Sequence, residues 1–227
     1  MTDVAVVDYG MGNLHSVAKA IEHVAPRLKI AVTSDAAVVT RAGRVVFPGQ
    51  GAMPDCVREM DARGLRGAVL EAARGKPFLG ICIGLQMLFE MSEEGNTCGL
   101  GLLPGRVRRF PAGRAVNAQA MKLKVPHMGW NEVRQTVSHP LWQGIAQGSR
   151  FYFVHSYYPE PVGREVTAGE CIYGVPFTCA VARDNIFAVQ FHPEKSDAAG
   201  LKLFANFLAW QPTVRRPRQR TAASPAA

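Results

Sequence analysis

The first ninety residues alternate short apolar runs with stretches of helical periodicity, and no other feature of the sequence constrains the fold as strongly. The apolar runs predict strands at residues 4–7, 30–32, 45–47 and 78–81, and the periodic stretches predict helices at 14–24 and 57–73. Buried strands that alternate with helices are joined by right-handed crossovers. The alternation therefore predicts an α/β fold, a parallel sheet with helices on both faces.

A β-rich region follows from about residue 105 to residue 189, where short strand patterns are separated by many Gly and Pro turns. Strands are predicted there at 152–154, 171–173 and 187–190. An amphipathic helix at 196–210 closes the fold, with an apolar face made of Leu201, Leu203, Phe204, Phe207 and Leu208. The sequence thus predicts one domain over residues 1–211, in which a β-rich part is added to the parallel sheet.

The last 13 residues contain four arginines and no acidic residue, and they account for half of the formal net charge of +8. A segment of this composition cannot bury a core, so residues 212–227 are expected to form a disordered basic tail. The rest of the chain has no stripe of Lys and Arg interleaved with aromatic residues. We therefore do not expect a nucleic-acid site, although the net charge is positive.

Membrane insertion and secretion are not expected from this sequence. It has no apolar run of about 18 residues or more, the length that suggests a transmembrane helix, and its N-terminus lacks the features of a signal peptide. The five cysteines are odd in number, widely scattered and free of the C-x-x-C spacing of zinc and redox sites. We therefore expect a cytoplasmic protein without a metal.

Cys82 lies between the predicted strand at 78–81 and a helical pattern that begins at Ile83, with Gly80 and Gly84 on either side. This G-x-C-x-G spacing is the cysteine form of the nucleophile elbow, where small neighbours permit a sharp turn and let substrate approach the sulfur. The N-terminus of the next helix would stabilise a thiolate, and the Ile83 N–H would stabilise an oxyanion. From these five residues alone, a buried cysteine that packs as a small hydrophobe is an equally good interpretation.

His192 and Glu194 flank Pro193 at the end of a predicted strand. Residues two apart in an extended chain project from the same face, so the carboxylate can orient the imidazole and leave its other nitrogen to exchange a proton with a thiol. Pro193 is expected to keep the chain extended. An exposed loop explains this tripeptide better when it is taken alone, but its position after a strand, in a chain with a cysteine elbow, favours catalysis.

Pro48-Gly49-Gln50-Gly51 directly follows the predicted strand at 45–47. The two glycines permit a positive φ, which allows backbone N–H groups to point into a cleft. The segment is therefore a candidate second donor for an oxyanion hole, although an ordinary strand-to-helix turn is the better interpretation of the motif alone. A phosphate-binding loop is not predicted, because no Gly-Lys-Ser/Thr follows.

Along the chain the three segments follow one another as P-G-x-G, G-x-C-x-G-x-Q and H-P-E. In this order they resemble the class I (triad-type) glutamine amidotransferases, and the resemblance extends from residue 2 to about residue 210. The resemblance is narrowed by three further segments, at residues 8–14, 126–131 and 152–158. They are similar to the glutaminase-subunit family of imidazole glycerol phosphate synthase, which acts in histidine biosynthesis. The resemblance implies a flavodoxin-like parallel sheet with an added β-rich part. That architecture agrees with the order of strands and helices.

The resemblance also implies roles for individual residues. It makes Cys82 the nucleophile, His192 the proton shuttle and Glu194 the residue that orients the histidine. The other implied roles are an oxyanion hole at Gly51 and Ile83 and a substrate-binding set of Gln86, Glu94, Ser156 and Tyr157. The family pattern assigns no role to Gln50.

The implied reaction is attack of the Cys82 thiolate on the side-chain amide of L-glutamine, with release of ammonia and hydrolysis of a γ-glutamyl thioester, and it needs no cofactor or metal. In the resembling family, ammonia passes to a (β/α)8-barrel synthase subunit, which makes imidazole glycerol phosphate and AICAR. In such a heterodimer the residues near the partner would be Tyr9, Asn13, Met128, Trp130 and Tyr152. Packing in the core explains any one of these residues equally well.

Three other functions remain open at this point. A different cysteine hydrolase with the same elbow would typically carry histidine directly after the cysteine, where this chain has Ile83. An amidotransferase of purine, pyrimidine or folate synthesis is disfavoured only by the resemblance of segments 126–131 and 152–158. A catalytically silent binding subunit is made unnecessary, but is not excluded, by the intact set of cysteine, histidine and glutamate.

Overall fold

The computed structural model describes residues 2–111 and 124–212. The helices are α1 (Leu14–Val24), α2 (Ala36–Arg41), α3 (Met53–Ala62), α4 (Arg66–Gly75), α5 (Ile83–Gln86) and α6 (Asp197–Ala209). The first seven strands are β1 (Val4–Val7), β2 (Ile30–Thr33), β3 (Arg44–Gly49), β4 (Phe78–Cys82), β5 (Phe89–Ser92), β6 (Thr97–Cys98) and β7 (Leu103–Arg109). The others are β8 (His127–Glu132), β9 (Arg134–Gln135), β10 (Arg150–His155), β11 (Tyr157–Pro161), β12 (Thr167–Tyr173), β13 (Val175–Arg183) and β14 (Ile186–Val189).

An eight-stranded sheet carries the core, in the order β2-β1-β3-β4-β14-β13-β12-β9. The strands β2, β1, β3, β4 and β14 are parallel, which is the flavodoxin order. Every residue of β1, β4 and β14 is buried, as expected for strands that are covered on both faces. The predicted parallel α/β sheet is therefore confirmed.

The strand predicted at 187–190 belongs to the parallel sheet rather than to the β-rich part. It is observed as β14, and it pairs with β4 in parallel, with Val189 opposite Ile81. The β-rich region is thus inserted between the fourth and fifth parallel strands. A strand pattern does not reveal this, because the pairing partner lies more than a hundred residues earlier in the chain.

Two features of the helical pattern were predicted incorrectly or missed. The single helix predicted at 57–73 is wrong, because α3 ends before Gly64, which adopts a φ of +66°, and α4 begins at Arg66. The short helix α2 was not predicted. It spans six residues, too few to show a helical period, and its N-terminus is capped by the Asp35 side chain, which accepts from the Ala37 N–H.

The β-rich region also forms two smaller sheets, β10-β8 and β11-β7-β5-β6. Helix α6 confirms the predicted closing helix, although only Leu203, Phe204 and Phe207 of its predicted face are buried, whereas Leu201 and Leu208 are half-buried. Among residues 2–111 and 124–212, no helix is long and apolar enough to cross a membrane. Residues 213–227 of the predicted basic tail lie outside the described residues.

Candidate active site

Cys82 is the last residue of β4, and α5 begins at the next residue. Its backbone has φ +56° and ψ −111°, a strained conformation for a residue with a side chain. A Cβ on Gly84 would lie 1.8 Å from the Phe47 carbonyl oxygen, and one on Gly80 would lie 2.9 Å from the Ala188 Cβ. Only glycine fits at Gly84, so the sharp turn of a nucleophile elbow is present as the spacing predicts.

The predicted helix that begins at Ile83 is present, but it is only four residues long. It ends at Gln86, and β5 begins at Phe89. One turn carries only part of a helix dipole, so the stabilisation of a thiolate by a long helix is not available here. The free N–H groups of the first turn remain, and that of Ile83 is the nearest in sequence to the sulfur.

The His192 Nδ1 and the Glu194 Oε1 lie 2.8 Å apart, and both side chains are almost completely buried. The chain between them is not extended as predicted. Pro193–Lys195 forms a 3₁₀ turn that begins at Pro193, because proline is well tolerated in the first turn of a helix, where its missing N–H has no partner to lose. The predicted pair is formed, but by a turn.

The ring of His192 is placed for proton exchange. Its Nε2 is buried and makes no hydrogen bond of normal geometry among the described residues. Burial lowers the pKa of His192, but the nearby Cys82 and the Glu194 carboxylate outweigh this effect and raise the pKa above its ordinary value. The arrangement therefore favours a protonated imidazole beside a cysteine sulfur.

Gln190 is a site residue that the sequence analysis missed. It is fully buried, and its Nε2 lies 3.7 Å from the Cys82 Sγ. Its Oε1 accepts a hydrogen bond of 3.1 Å from the Gln86 Nε2. The sequence does carry a signal, because Gln190 is a polar residue at the end of an apolar strand, two residues before His192 and so on the same face.

A cleft of about 270 Å³ opens at this edge of the sheet, close to the roughly 300 Å³ at which typical ligand pockets begin. Its lining brings together all the predicted oxyanion and substrate residues with two members of the triad: Gly51, Cys82, Ile83, Gln86, Glu94, Ser156, Tyr157 and His192. Glu94 also accepts a hydrogen bond of 2.8 Å from the Met53 N–H. A cleft of this size suits a small metabolite.

Two buried side chains hydrogen-bond to backbone carbonyls of the loop Pro48 to Gly51. The Tyr9 hydroxyl donates to the Pro48 carbonyl at 2.7 Å, and the Cys56 thiol donates to the Gln50 carbonyl at 3.5 Å. Gly51 has a φ of +104° and lines the cleft. Tyr9 is fully buried here, so its side chain has no exposed surface with which to contact a partner directly.

The other four residues predicted near a partner are in mixed environments. Met128 and Trp130 on β8 are exposed, at 62% and 41% of their surface. Tyr152 on β10 is opposite Trp130, with ring centroids 6.2 Å apart. Asn13 caps α1 by accepting from the Ser16 N–H. Strand β8 thus presents large apolar side chains to solvent.

A chain of hydrogen bonds runs from β8 to the cleft. The Asn131 Nδ2 lies 3.3 Å from the His127 Nε2, and the His127 Nδ1 lies 2.9 Å from the His155 Nε2. The His155 Nδ1 is 2.7 Å from the Tyr157 carbonyl, which also accepts from Gln86. Burial lowers the pKa of His127 to about 4 and that of His155 to about 3, so both rings are neutral at pH 7.

A larger cleft of about 560 Å³ lies beside β8 and β12, where Trp130, Arg134, Glu170 and Ile172 line it. The described residues that line it include a cysteine, Cys171, but no histidine. Burial raises the pKa of Cys171 to about 12, so its thiol is protonated at neutral pH. The smaller cleft is therefore the candidate active site.

Comparison with known proteins agrees with this geometry. The family model "Glutamine amidotransferase class-I" matches residues 5–210. The HisH subunit of imidazole glycerol phosphate synthase from Nitrosospira multiformis is 67% identical over 93% of this chain and 100% of its own length. The HisH subunit of Dechloromonas aromatica is 66% identical over 92% of this chain and 97% of its own length.

Solved structures show the same fold at low identity. A putative GMP synthase component from Thermoplasma acidophilum matches with a TM-score of 0.66 and 18% identity, over 92% of this chain and 93% of its own. The glutaminase domain of Trypanosoma brucei CTPS, with bound acivicin, matches with a TM-score of 0.59 and 15% identity, over 95% and 97%.

Proposed function

The chain belongs to the class-I glutamine amidotransferases, and on that premise we propose that Cys82, His192 and Glu194 hydrolyse L-glutamine to glutamate and ammonia. It is the glutaminase subunit of an imidazole glycerol phosphate synthase and acts in histidine biosynthesis. One observation carries the assignment of residues: a cysteine elbow and a buried His–Glu pair meet at one small cleft.

The first half of the reaction forms a thioester. The Cys82 thiolate attacks the carbonyl carbon of the substrate's side-chain amide, and the backbone N–H groups of Ile83 and Gly51 stabilise the oxyanion. The protonated His192 then gives its Nε2 proton to the departing nitrogen, which leaves as ammonia. The raised pKa of His192 supports this role, because it keeps the proton on the ring until the transfer.

The second half hydrolyses the thioester. The now neutral His192 takes a proton from water, which attacks the γ-glutamyl carbonyl and releases glutamate and the Cys82 thiolate. Glu194 accepts from the Nδ1 of the ring throughout, so it fixes the tautomer and stabilises the imidazolium. Gln86, Glu94, Ser156 and Tyr157 hold the substrate in this proposal.

Ammonia is consumed by a separate (β/α)8-barrel synthase subunit in a heterodimer. The exposed Met128 and Trp130, with the neighbouring Tyr152 and the α1 cap Asn13, are the proposed contacts. Aromatic residues and methionine are enriched at such interfaces, which supports the choice. The compartment we propose is the cytoplasm, where the five free cysteines would stay reduced.

The test is to assay the complex of this chain with its barrel subunit, using either glutamine or ammonium as the nitrogen donor. Cys82→Ala should lower the glutamine-dependent rate by roughly 10⁴-fold or more, while the ammonium-dependent rate stays within about twofold. Cys98→Ala, at an exposed cysteine, should leave both rates unchanged. Loss of both rates in Cys82→Ala would mean that Cys82 is structural. A wild-type chain that makes no glutamate would be a silent binding subunit.

A further inference from the structure

Gln190 joins the nucleophile to the substrate-binding side of the cleft. It is a fully buried amide, and it contacts the Cys82 Sγ with its nitrogen and the Gln86 Nε2 with its oxygen. Burying an amide is costly unless its polar atoms find partners. Both ends of this amide have one, and both partners belong to the proposed active site.

One backbone carbonyl fixes the orientation of both amides. The Tyr157 carbonyl can only accept, so the nitrogen of Gln86 must face it, and the two atoms are 3.2 Å apart. The same nitrogen faces Gln190, which must present its oxygen because two NH₂ groups would otherwise oppose each other. The nitrogen of Gln190 is thereby directed toward Cys82. A flip of either amide would break the whole set.

This orientation leaves one acceptor for the substrate. Both N–H groups of the Gln86 amide are used by Tyr157 and Gln190, whereas its Oε1 is buried and has no partner among the described residues. Gln86 lines the cleft, so a bound ligand can supply the missing donor. The amide or ammonium N–H groups of glutamine are donors of the required kind.

The same orientation gives the Cys82 sulfur a donor. A hydrogen bond to an ionised acceptor is stronger than one to a neutral acceptor, so an N–H group that points at the sulfur favours the thiolate over the thiol. The contact also limits where the sulfur can rotate. Once the sulfur is acylated and neutral, the contact weakens, so it acts mainly before the thioester forms.

We propose that Gln190 is a positioning residue that acts on both the substrate contact and the nucleophile. It holds Gln86 so that the side-chain Oε1 of Gln86 faces the substrate, and it stabilises the Cys82 thiolate. The inference rests on the proposed function, because it requires Cys82 as the nucleophile and Gln86 as a substrate contact.

The experiment compares two labels on Cys82 in the full chain, mapped by peptide mass spectrometry. Iodoacetamide reports on the thiolate alone, and a glutamine-like diazo-ketone reports on the thiolate and on substrate recognition together. Gln190→Met removes both hydrogen-bonding groups and keeps a similar length. Asn185→Leu is the matched control, since Asn185 is another buried amide and donates to the Ala73 and Lys76 carbonyls away from the cleft.

In Gln190→Met, alkylation by iodoacetamide should fall about 10-fold at pH 6.5 and should approach the wild-type rate at pH 9. Labelling by the diazo-ketone should fall by about 100-fold at pH 6.5, because orientation of Gln86 is lost as well. Asn185→Leu should lower the melting temperature but leave both labelling rates within about twofold of the wild type. The pH dependence separates a role at the sulfur from a loss of structure.

Gln190→Glu provides a second variant. It keeps an acceptor for Gln86 but loses the amide donor at the sulfur, so the ratio of the two labelling rates should stay near the wild-type ratio while both rates fall at pH 6.5. Wild-type rates in Gln190→Met would overturn the inference, and so would an equal loss at both pH values with the stability loss of the control. If the wild-type chain is not labelled at Cys82 by the diazo-ketone, the proposed function fails and the inference fails with it.

Discussion

The parallel half of the molecule and its β-rich half contribute to the cleft in different ways. β4 and β14 are adjacent and parallel, so their carboxyl ends lie at the same edge of the sheet and bring Cys82, Gln190 and His192 together. The β-rich half supplies the opposite wall, with Ser156 and Tyr157, and the exposed strand β8. The chemistry therefore depends on two neighbouring strand ends, whereas the substrate wall depends on an insertion between those strands.

This contrast predicts that damage in the two halves has different consequences. Changes at the strand ends of the parallel half should abolish turnover with little effect on the fold. Changes in the β-rich half should alter how the reaction is regulated and how the molecule responds to acid.

The largest effect is expected within the parallel half, at His192. His192→Asn should lower glutamine hydrolysis by roughly 10⁶-fold, because it removes the group that transfers the proton. Glu194→Gln should cost about a hundredfold less, because Glu194 only orients the ring. Steady-state glutamate production measures both. His23→Asn, an exposed histidine on α1, is the control and should be silent. Equal losses of activity at the two sites would contradict the division of roles. A His192→Asn variant with wild-type activity would contradict the mechanism.

A smaller effect should connect the two halves. We expect the isolated chain to be a poor glutaminase that is activated about 100- to 1,000-fold when the barrel partner binds with its nucleotide ligand, the factor that one oxyanion donor supplies. The proposed contacts include β8, whereas the donor loop Pro48 to Gly51 belongs to the parallel half. Glutamate release with and without the partner measures the activation.

Gly51→Ala should reduce this activation, because Gly51 has a positive φ that alanine adopts only with strain. The variant should still fold, because the added Cβ would meet only the flexible end of Met11. Gly49→Ala is a poor substitute, since its Cβ would lie 2.2 Å from the Tyr9 hydroxyl and 2.8 Å from the Ile83 Cβ. Full turnover by the isolated chain would show that the halves are not coupled through this loop.

Acid should distinguish the halves through stability. The pKa values of about 4 for His127 and about 3 for His155 lie below the value of about 6.5 expected in the unfolded chain, so only the unfolded chain takes up protons as the pH falls below 6.5. The contribution of these two histidines to stability is therefore intact above pH 6.5 and is lost as the pH falls to about 3. Hydrogen exchange should show β8 and β10 losing protection before β1, β3 and β4. A uniform loss across the sheets would contradict this assignment.

The smallest effect should be found at the elbow itself. Cys82→Gly should be more stable than Cys82→Ala by about 1 kcal/mol, because a φ of +56° with ψ −111° suits glycine and strains alanine. For a chain of this size the difference is roughly 2–4 °C in melting temperature. Calorimetry of the two inactive variants gives the answer, and equal melting temperatures would mean that the strain is relieved elsewhere.

The two halves also differ in how far the sequence predicted them. Strands β1 and β4 were found almost to the residue, because continuous apolar runs in the parallel half are unambiguous. The elbow and the His–Glu pair followed from spacing, and the family resemblance supplied the residues of the cleft wall. The environment of Tyr9 was missed, because an isolated aromatic residue has the same sequence signature in a core and at an interface.

Gln190 was not predicted as a site residue for a related reason. A glutamine at the end of an apolar strand marks a buried amide, but its partners Cys82 and Gln86 are a hundred residues away, and only the pairing of β14 with β4 brings them into contact. Local pattern identifies the elements of this site, whereas long-range pairing decides which of their side chains meet.

Cys82 is held in a backbone conformation that suits glycine, and this has a consequence for ancestry. One nucleotide separates the cysteine and glycine codons, so a lineage that no longer needs glutamine hydrolysis has a short path to a more stable protein. We expect such descendants to carry glycine at position 82 early, while Gly84 stays unchanged because the Phe47 carbonyl leaves no room for another residue. The residues at positions 82 and 84 would then distinguish a descendant that still hydrolyses glutamine from one that has lost this activity.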